Sequence, residues 1–401
     1  VAALDYDNHL GQIAIGRISR GSISVGEPVV RIDREGQQSP YKVERLYVFQ
    51  GLDRRPVQQA AAGEIVVIAG IEQAAIGDTI TSVQYPEALP TITVDEPTVS
   101  ITLGVNTSPF AGQVGRSSLS RQLHARLLRE LQTNVSLRVE NTDSADEFLV
   151  VGRGELHLAI LIETMRREGY EFQVSKPEAV LKTRDGVTLE PYEMLTIDTR
   201  EEFIGTLAEN LALRLAKMTD MRYDGQGGVR LEFKLPTRGL IGFHGHFLRV
   251  IHGSGVMNSQ FLDYEPLHGD VRSSRSGALV ASETGVAVTY GLNNAQGRGS
   301  TFVDPGTPVY EGMIVGLQSR EDDMVVNVCR EKKLTNMRSS TSDIAIRLTA
   351  TVIMSLEECL DFINPDELVE VTPTSLRLRK KVLPNEERYR LSRHRKVRVE
   401  A

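Results

Sequence analysis

At 401 residues, with 40% apolar and 25% charged positions, the chain is too long for one ordinary hydrophobic core and should fold as roughly two to four domains. A formal net charge of −7 excludes a uniformly basic nucleic-acid coat, but the charge is uneven: from Val371 onward ten Lys and Arg face three Glu, a net of +7 that leaves −14 on residues 1–370. No apolar run reaches the ~18 residues of a membrane helix and no signal segment opens the chain. Two cysteines, Cys329 and Cys359, cannot build a disulfide framework and fit a reducing, cytoplasmic compartment. The chain starts at Val1 without an initiator methionine, in a run that already reads as strand, which implies that something upstream was removed.

Residues 1–92 alternate short β-rich runs (GQIAIGRISRG, GEPVVRI, KVERLYVF, GEIVVIAGI, GDTITS) with glycine turns, a spacing that predicts a small closed β-barrel. Pro86 and Pro90 punctuate a linker. Over residues 93–180 the order becomes βαββαβ. A strand (TVSITLGV) leads to a helix with Leu119, Leu123, Leu127, Leu128 and Leu131 at helical spacing, and two strands follow near 135–139 and 148–151. The helix in GRGELHLAILIETMRREG stops at Gly169, and YEFQVS closes the unit.

Residues 181–268 repeat that order, with MLTIDT as a strand and EEFIGTLAENLALRLAKM as a helix whose Phe203, Leu207, Leu211 and Leu215 repeat every four residues. Two strands surround the turn DGQGG, a helix is expected over 238–251, and VMNSQFLDYEP closes. Residues 269–401 hold strands such as ALVASE, GVAVTYG and MIVGLQS, a helix SLEECLDFI, the strand LVEVT and the basic tail. The expected fold class is multidomain α+β: a β-barrel, two ferredoxin-like βαββαβ domains, and a β-rich C-terminal domain with a basic tail.

Chemistry is sparse. The segment nearest to a phosphate-binding loop, GLNNAQGRGS from Gly291 to Ser300, has its glycines one residue too far apart and Arg298 where Lys belongs, so it reads as a flexible glycine loop. His244 and His246 fall on different faces of a helix with no cluster to complete a metal set, and His157 has no Ser or Cys nucleophile beside it. A hydrolase using the histidines of 244–252 would need them to converge with a carboxylate in a pocket. Arg238, Gly239 and the following glycines of PTRGLIGFHGHF fit either close approach to a partner or turn chemistry at a helix start.

The run KKLTNMRSS gathers Lys332, Lys333, Thr335, Asn336, Arg338, Ser339 and Ser340: ammonium, guanidinium, amide and hydroxyl groups suited to RNA phosphates, 2′-hydroxyls and base edges. A solvated loop is the bland alternative. Arg298 and the tail residues Arg377, Arg379, Lys380 and Lys381 extend the candidate RNA surface.

Several motifs carry a family resemblance. RGSISVGEPV and AAIGDTI in the barrel, GRGELHL with Gly152, Gly154, Glu155 and His157, and PTRGLIGFHGHFLRVIHGSGVMN with Arg238 and Gly239 resemble, over roughly residues 1–265, the post-GTPase half of a translational GTPase of the elongation factor G type. That factor's inserted tRNA-mimicking domain is missing, since GYEFQVSKPEAVLKT runs almost directly into LEPYEML. YEGMIVG, KKLTNMR and ELVEVTPTSLRLRKK are similar to one branch of the family, whose pattern has glycine where Glu331 precedes KKLTNMR.

The resemblance implies a GTPase whose GTP and Mg sit in an N-terminal domain outside this chain, which by itself should hold no cofactor, metal or catalytic residue. It implies the ribosome as partner (rRNA of both subunits, tRNA, ribosomal proteins), with the C-terminal domain reaching toward the peptidyl-transferase region and KKLTNMRSS touching RNA. A cytoplasmic monomer acting in translation under stress and in large-subunit biogenesis is expected. The alternative is a stand-alone RNA-binding ribosome-assembly protein that never had a GTPase domain.

Overall fold

The computed structural model describes residues 1–7, 9–91, 96–271, 275–332 and 347–391. They divide into two compact units, Val1–Pro97 with His124–Glu140, and Thr98–Leu123 with Asn141 onward.

In the first unit the expected barrel strands fall into three ladders among the described residues. Five antiparallel strands lie in the order Ala3–Asp7, Gly11–Arg17, Ile65–Ala69, Arg45–Gln50 and Asp53–Pro56. Three more run Thr79–Ser82, Pro28–Ile32, Gln38–Lys42, and Ser22–Ser24 pairs with Gln59–Ala61. The ladders break at corners bridged by isolated backbone bonds: Gly26 N to Val43 O at 2.8 Å, Val25 N to Gln58 O at 2.9 Å and Glu44 N to Ala69 O at 3.0 Å. Inward residues of all three, including Ala14, Val29, Leu46, Ala60, Val66 and Ile68, share one core. That shared core satisfies the alternating pattern without a continuous ladder.

The helix Ser120–Leu131 buries Leu123 and Leu127 completely, whereas Leu119 precedes it and Leu128 lies on its flank, 61% and 46% exposed. Only one i, i+4 pair of the expected five-leucine stripe is therefore in the core.

In the second unit, Val99–Gly104 pairs antiparallel with both Glu147–Gly152 and Phe172–Ser175. Phe172–Ser175 then pairs with Glu367–Val371, matching Phe172 to Val371 and Ser175 to Leu368. From there the sheet runs through Leu376–Lys380 and Met313–Gln318 to Ala278–Ala281 and Met324–Val326. The C-terminal region thus continues the sheet begun at residue 99.

A second sheet contains Val187–Arg200 between Gly228–Pro236 and Val256–Pro266, with Lys217–Tyr223 beyond Gly228–Pro236. In chain order it runs from the edge strand Lys182–Arg184 to Val187–Arg200, a helix, two strands, two short helices and a last strand, where βαββαβ was expected. Leu195, Ile197, Leu231 and Phe233 pack against Leu207 and Leu211 of the helix Ile204–Ala212 and Phe243 and Phe247 of the helix Phe243–Val250. Leu215 lies past the first helix, with φ +66°, so the four-residue stripe ends at Leu211. The single helix expected over 238–251 is two, Thr237–Leu240 and Phe243–Val250, divided where Gly242 turns left-handed at φ +70°.

The glycine loop expected at 291–300 is largely a helix, Thr289–Gln296. Gly291 is required there because a Cβ would collide with the carbonyl oxygen of Val328. In the helix Leu356–Phe362 the sequence S-x-x-E forms a capping box: Glu358 N donates to Ser355 Oγ at 3.2 Å and Ser355 N donates to Glu358 Oε2 at 2.9 Å.

Candidate nucleic-acid interface

The basic residues expected to meet RNA separate into two groups. Arg298, Lys332 and Lys381 are exposed. Lys333, Thr335, Asn336, Arg338, Ser339 and Ser340 lie outside the described residues, as do the tail cations from Arg393 onward.

The other three cations turn inward. Arg379 and Lys380 are each 2% exposed, on the strand Leu376–Lys380. Lys380 Nζ donates to Glu367 Oε1 at 2.8 Å and Asp366 Oδ2 at 2.9 Å, and also pairs with Asp323. Burial opposes its charge, but Glu367 and Asp323 outweigh that and hold the ammonium above its ordinary range. Arg379 Nη2 donates to Thr107 Oγ1 at 2.8 Å and to Gln173 Oε1. Arg377 grips Glu370 and stacks on Phe110, 5.3 Å from the ring centroid. These side chains are turned inward, so the run RLRKK contributes Lys381 alone to the outer charge.

Glu370 belongs to a fully buried network. Asn106 Nδ2 donates to Glu370 Oε1 at 2.7 Å and Glu171 Oε1 at 2.9 Å, bridging two carboxylates. Tyr310 Oη donates to Glu370 Oε2 at 2.9 Å, and Ser108 Oγ donates to Oε1. Burial pushes the Glu370 carboxyl up, and the hydrogen bonds from Arg377, Ser108 and Asn106 overcome it, leaving its pKa below the ordinary value. Glu171 accepts from the backbone N–H of Gly112 at 2.8 Å and Gly115 at 2.9 Å, so the turns of SPFAGQVG wrap a carboxylate of the same chain.

The motif residues have internal partners too. Gly152 ends its strand so close to the next helix that a Cβ would lie 2.8 Å from Leu158 Cδ2, and Gly154 caps the helix Glu155–Arg167. Glu155 Oε2 accepts from Gly242 N at 3.0 Å. His157 Nδ1 accepts from Arg153 N at 3.2 Å, a bond made by the neutral imidazole. Arg238 Nη2 donates to Glu190 Oε1 at 3.1 Å and Gly269 O at 3.0 Å, and the close approach at Gly239 is to Arg214 O of the same chain. Of the two readings of PTRGLIG, this geometry fits turn chemistry at a helix start.

His244 is exposed and His246 half-buried, and no group of three His, Cys, Asp or Glu side chains suited to a metal occurs among the described residues. A groove of about 590 Å³ is lined by Arg166, Arg167, Thr374, Ser375 and the 87% exposed Ile353. Both of its helix arginines bond Glu163 at 2.7 Å.

Comparison with known proteins places these regions. A model of the TypA/BipA C-terminal domain matches residues 276–385, one of the elongation factor G C-terminus matches residues 187–275, and one of elongation factor G domain 2 matches residues 1–83. The chain is 50% identical over 95% of its length to the large ribosomal subunit assembly factor BipA of Synechocystis sp., covering 64% of that protein. It is 47% identical over 99% to the protein of that name from Bacillus subtilis and 48% over 98% to that from Haemophilus influenzae, covering 65% and 64% of them. The chain thus spans just under two thirds of the length of these relatives.

Proposed function

We infer, from the premise that this chain belongs to the BipA/TypA family of elongation-factor-G-type proteins, that it is the ribosome-binding portion of a translational GTPase acting in large-subunit assembly. The carrying observation is the identity of 47–50% over 95–99% of the chain to relatives named as large-subunit assembly factors. GTP and Mg are assigned to a domain outside these residues, and the role under stress, the contacts with rRNA and tRNA and the cytoplasmic, ribosome-associated location are part of the same reading. So is the division at residues 1–92, 93–180, 181–268 and 269–401, with a barrel-like first domain and two ferredoxin-like ones.

Within this reading the RNA-facing charge consists of Arg298, Lys332, Lys381 and the KKLTNMRSS run, while Arg377, Arg379 and Lys380 build the scaffold. Exposed cations release counterions when they meet phosphate; cations turned inward, onto carboxylates as Arg377 and Lys380 are or onto neutral acceptors as Arg379 is, do not reach one. Cosedimentation with purified large subunits and their assembly precursors across a salt series tests the proposal. Saturable binding that weakens log-linearly with salt is expected, and no binding at low salt would refute it.

A further inference from the structure

Three pieces of chain meet beside the family motif: the first turn of the helix Glu155–Arg167, the end of the helix Leu356–Phe362, and the turn at Gly242 that opens the helix Phe243–Val250. The first two belong to elements packed on the sheet of residues 99–380, and the third to the sheet of 182–266. The three approach closely. A Cβ at Gly242 would lie 3.4 Å from Asp361 Cγ, and one at Gly245 would lie 3.5 Å from Asp361 Oδ2. Gly242 N donates to Glu155 Oε2 at 3.0 Å.

The carboxyls of Glu155 and Asp361 converge on this turn, Glu155 accepting from Gly242 N and Asp361 lying against Gly242 and Gly245. Glu155 Oε1 and Asp361 Oδ1 are buried, and no donor among the described residues reaches either. Two ionised carboxylates cannot bond each other, because both offer only acceptors. We propose that Glu155 and Asp361 share one proton, and that this proton latches the sheet of residues 182–266 to the rest of the unit. When it leaves, two buried anions face each other, Glu155 turns away and the bond from Gly242 N breaks.

The surrounding groups leave the proton in place. Arg214, from beyond the helix Ile204–Ala212, attracts both carboxyls, but its Nη1 donates to Gly239 O at 2.9 Å and Ile241 O at 3.0 Å. The pKa of His246, on the helix Phe243–Val250, is lowered by burial and by Arg214 and Arg249. Lys176 has its pKa lowered by burial and by Arg275, while Glu367 and Asp361 counteract this. Burial, followed by the bond and charge of Asp361, pushes Glu155 up to about 9. A carboxyl raised in the folded state takes up a proton on folding at any pH between its unfolded and folded values. Its contribution is therefore complete below about 4.5, declines as pH rises and is gone above about 9. The latch loosens in alkali.

The test is a titration of the 401-residue chain from about pH 5 to pH 10, following the Glu155 carboxyl carbon and the Gly242 amide by NMR. Both should move together with a midpoint near 9. Glu155→Gln, which supplies an N–H donor in place of the proton, should hold the Gly242 amide constant and abolish the fall in melting temperature between about pH 7 and pH 9. Asp361→Asn should lower the Glu155 midpoint by at least about one unit, which burial alone would not do; this arm decides the matter if the Gln variant does not fold. A Glu155 midpoint between about 4 and 5, an unmoved midpoint in Asp361→Asn, or a Gln variant with the wild-type thermal profile would each overturn the shared proton.

Discussion

Arg377 holds Glu370 by two hydrogen bonds, Nε to Oε2 at 2.9 Å and Nη2 to Oε1 at 3.3 Å, with the carboxylate wholly buried and the guanidinium 15% exposed. Removing the cation leaves an uncompensated buried charge, which costs far more than the pair contributes over an apolar replacement. Arg377→Ala should therefore destabilise the chain by about 3–5 kcal/mol in urea unfolding. A change within about 0.5 kcal/mol, combined with weakened ribosome binding, would return Arg377 to the outer surface.

Acid should act on the same pair. Glu370 has a folded pKa below its ordinary 4.5, so its contribution is present above that value and is lost as pH falls through the lowered one. The melting temperature should drop on acidification below about pH 4.5, with a shallower acid limb in Glu370→Gln. Identical limbs in differential scanning calorimetry would show that other carboxylates govern acid unfolding.

Leu211 is completely buried on the helix Ile204–Ala212, whereas Leu215, four residues on, is only partly covered. Leu211→Ala should cost about 2–5 kcal/mol and Leu215→Ala clearly less. Equal losses in chemical denaturation would mean that the stripe continues past Ala212.

Replacing Lys332, Lys333 and Arg338 together by alanine should change stability by no more than about 0.5 kcal/mol. It should weaken ribosome binding and flatten its salt dependence by roughly one unit for each phosphate no longer neutralised. A control triple, Arg393, Arg395 and Lys396 to alanine, should lower affinity less. Unchanged affinity and slope in the first triple would remove KKLTNMRSS from the interface.

Periodicity made much of the fold legible. The leucines at 207 and 211, the helix in SLEECLDFI and the alternation of strands and helices over 187–266 are local signals, set by which residues share a face. Two features were hidden because they depend on distant partners. RLRKK read as an outward basic tail, yet three of its cations are answered by the acids of Glu367–Val371 and by Thr107 and Gln173. A usable clue was present: in ELVEV two glutamates stand in an otherwise apolar strand, and buried carboxylates demand cationic or hydrogen-bonding partners. The helix Thr289–Gln296 was obscured by Gly291, whose necessity arises from Val328, 37 positions away.

The pairing of Phe172–Ser175 with Glu367–Val371 joins segments separated by almost half the chain. On a translating ribosome, at ~5–20 residues per second, roughly 10–40 s pass between synthesis of the first strand and of its partner. Throughout that interval the nascent chain carries an unmatched strand edge, the kind of surface that recruits other chains. Protection of that edge therefore falls to whatever accompanies the polypeptide as it emerges.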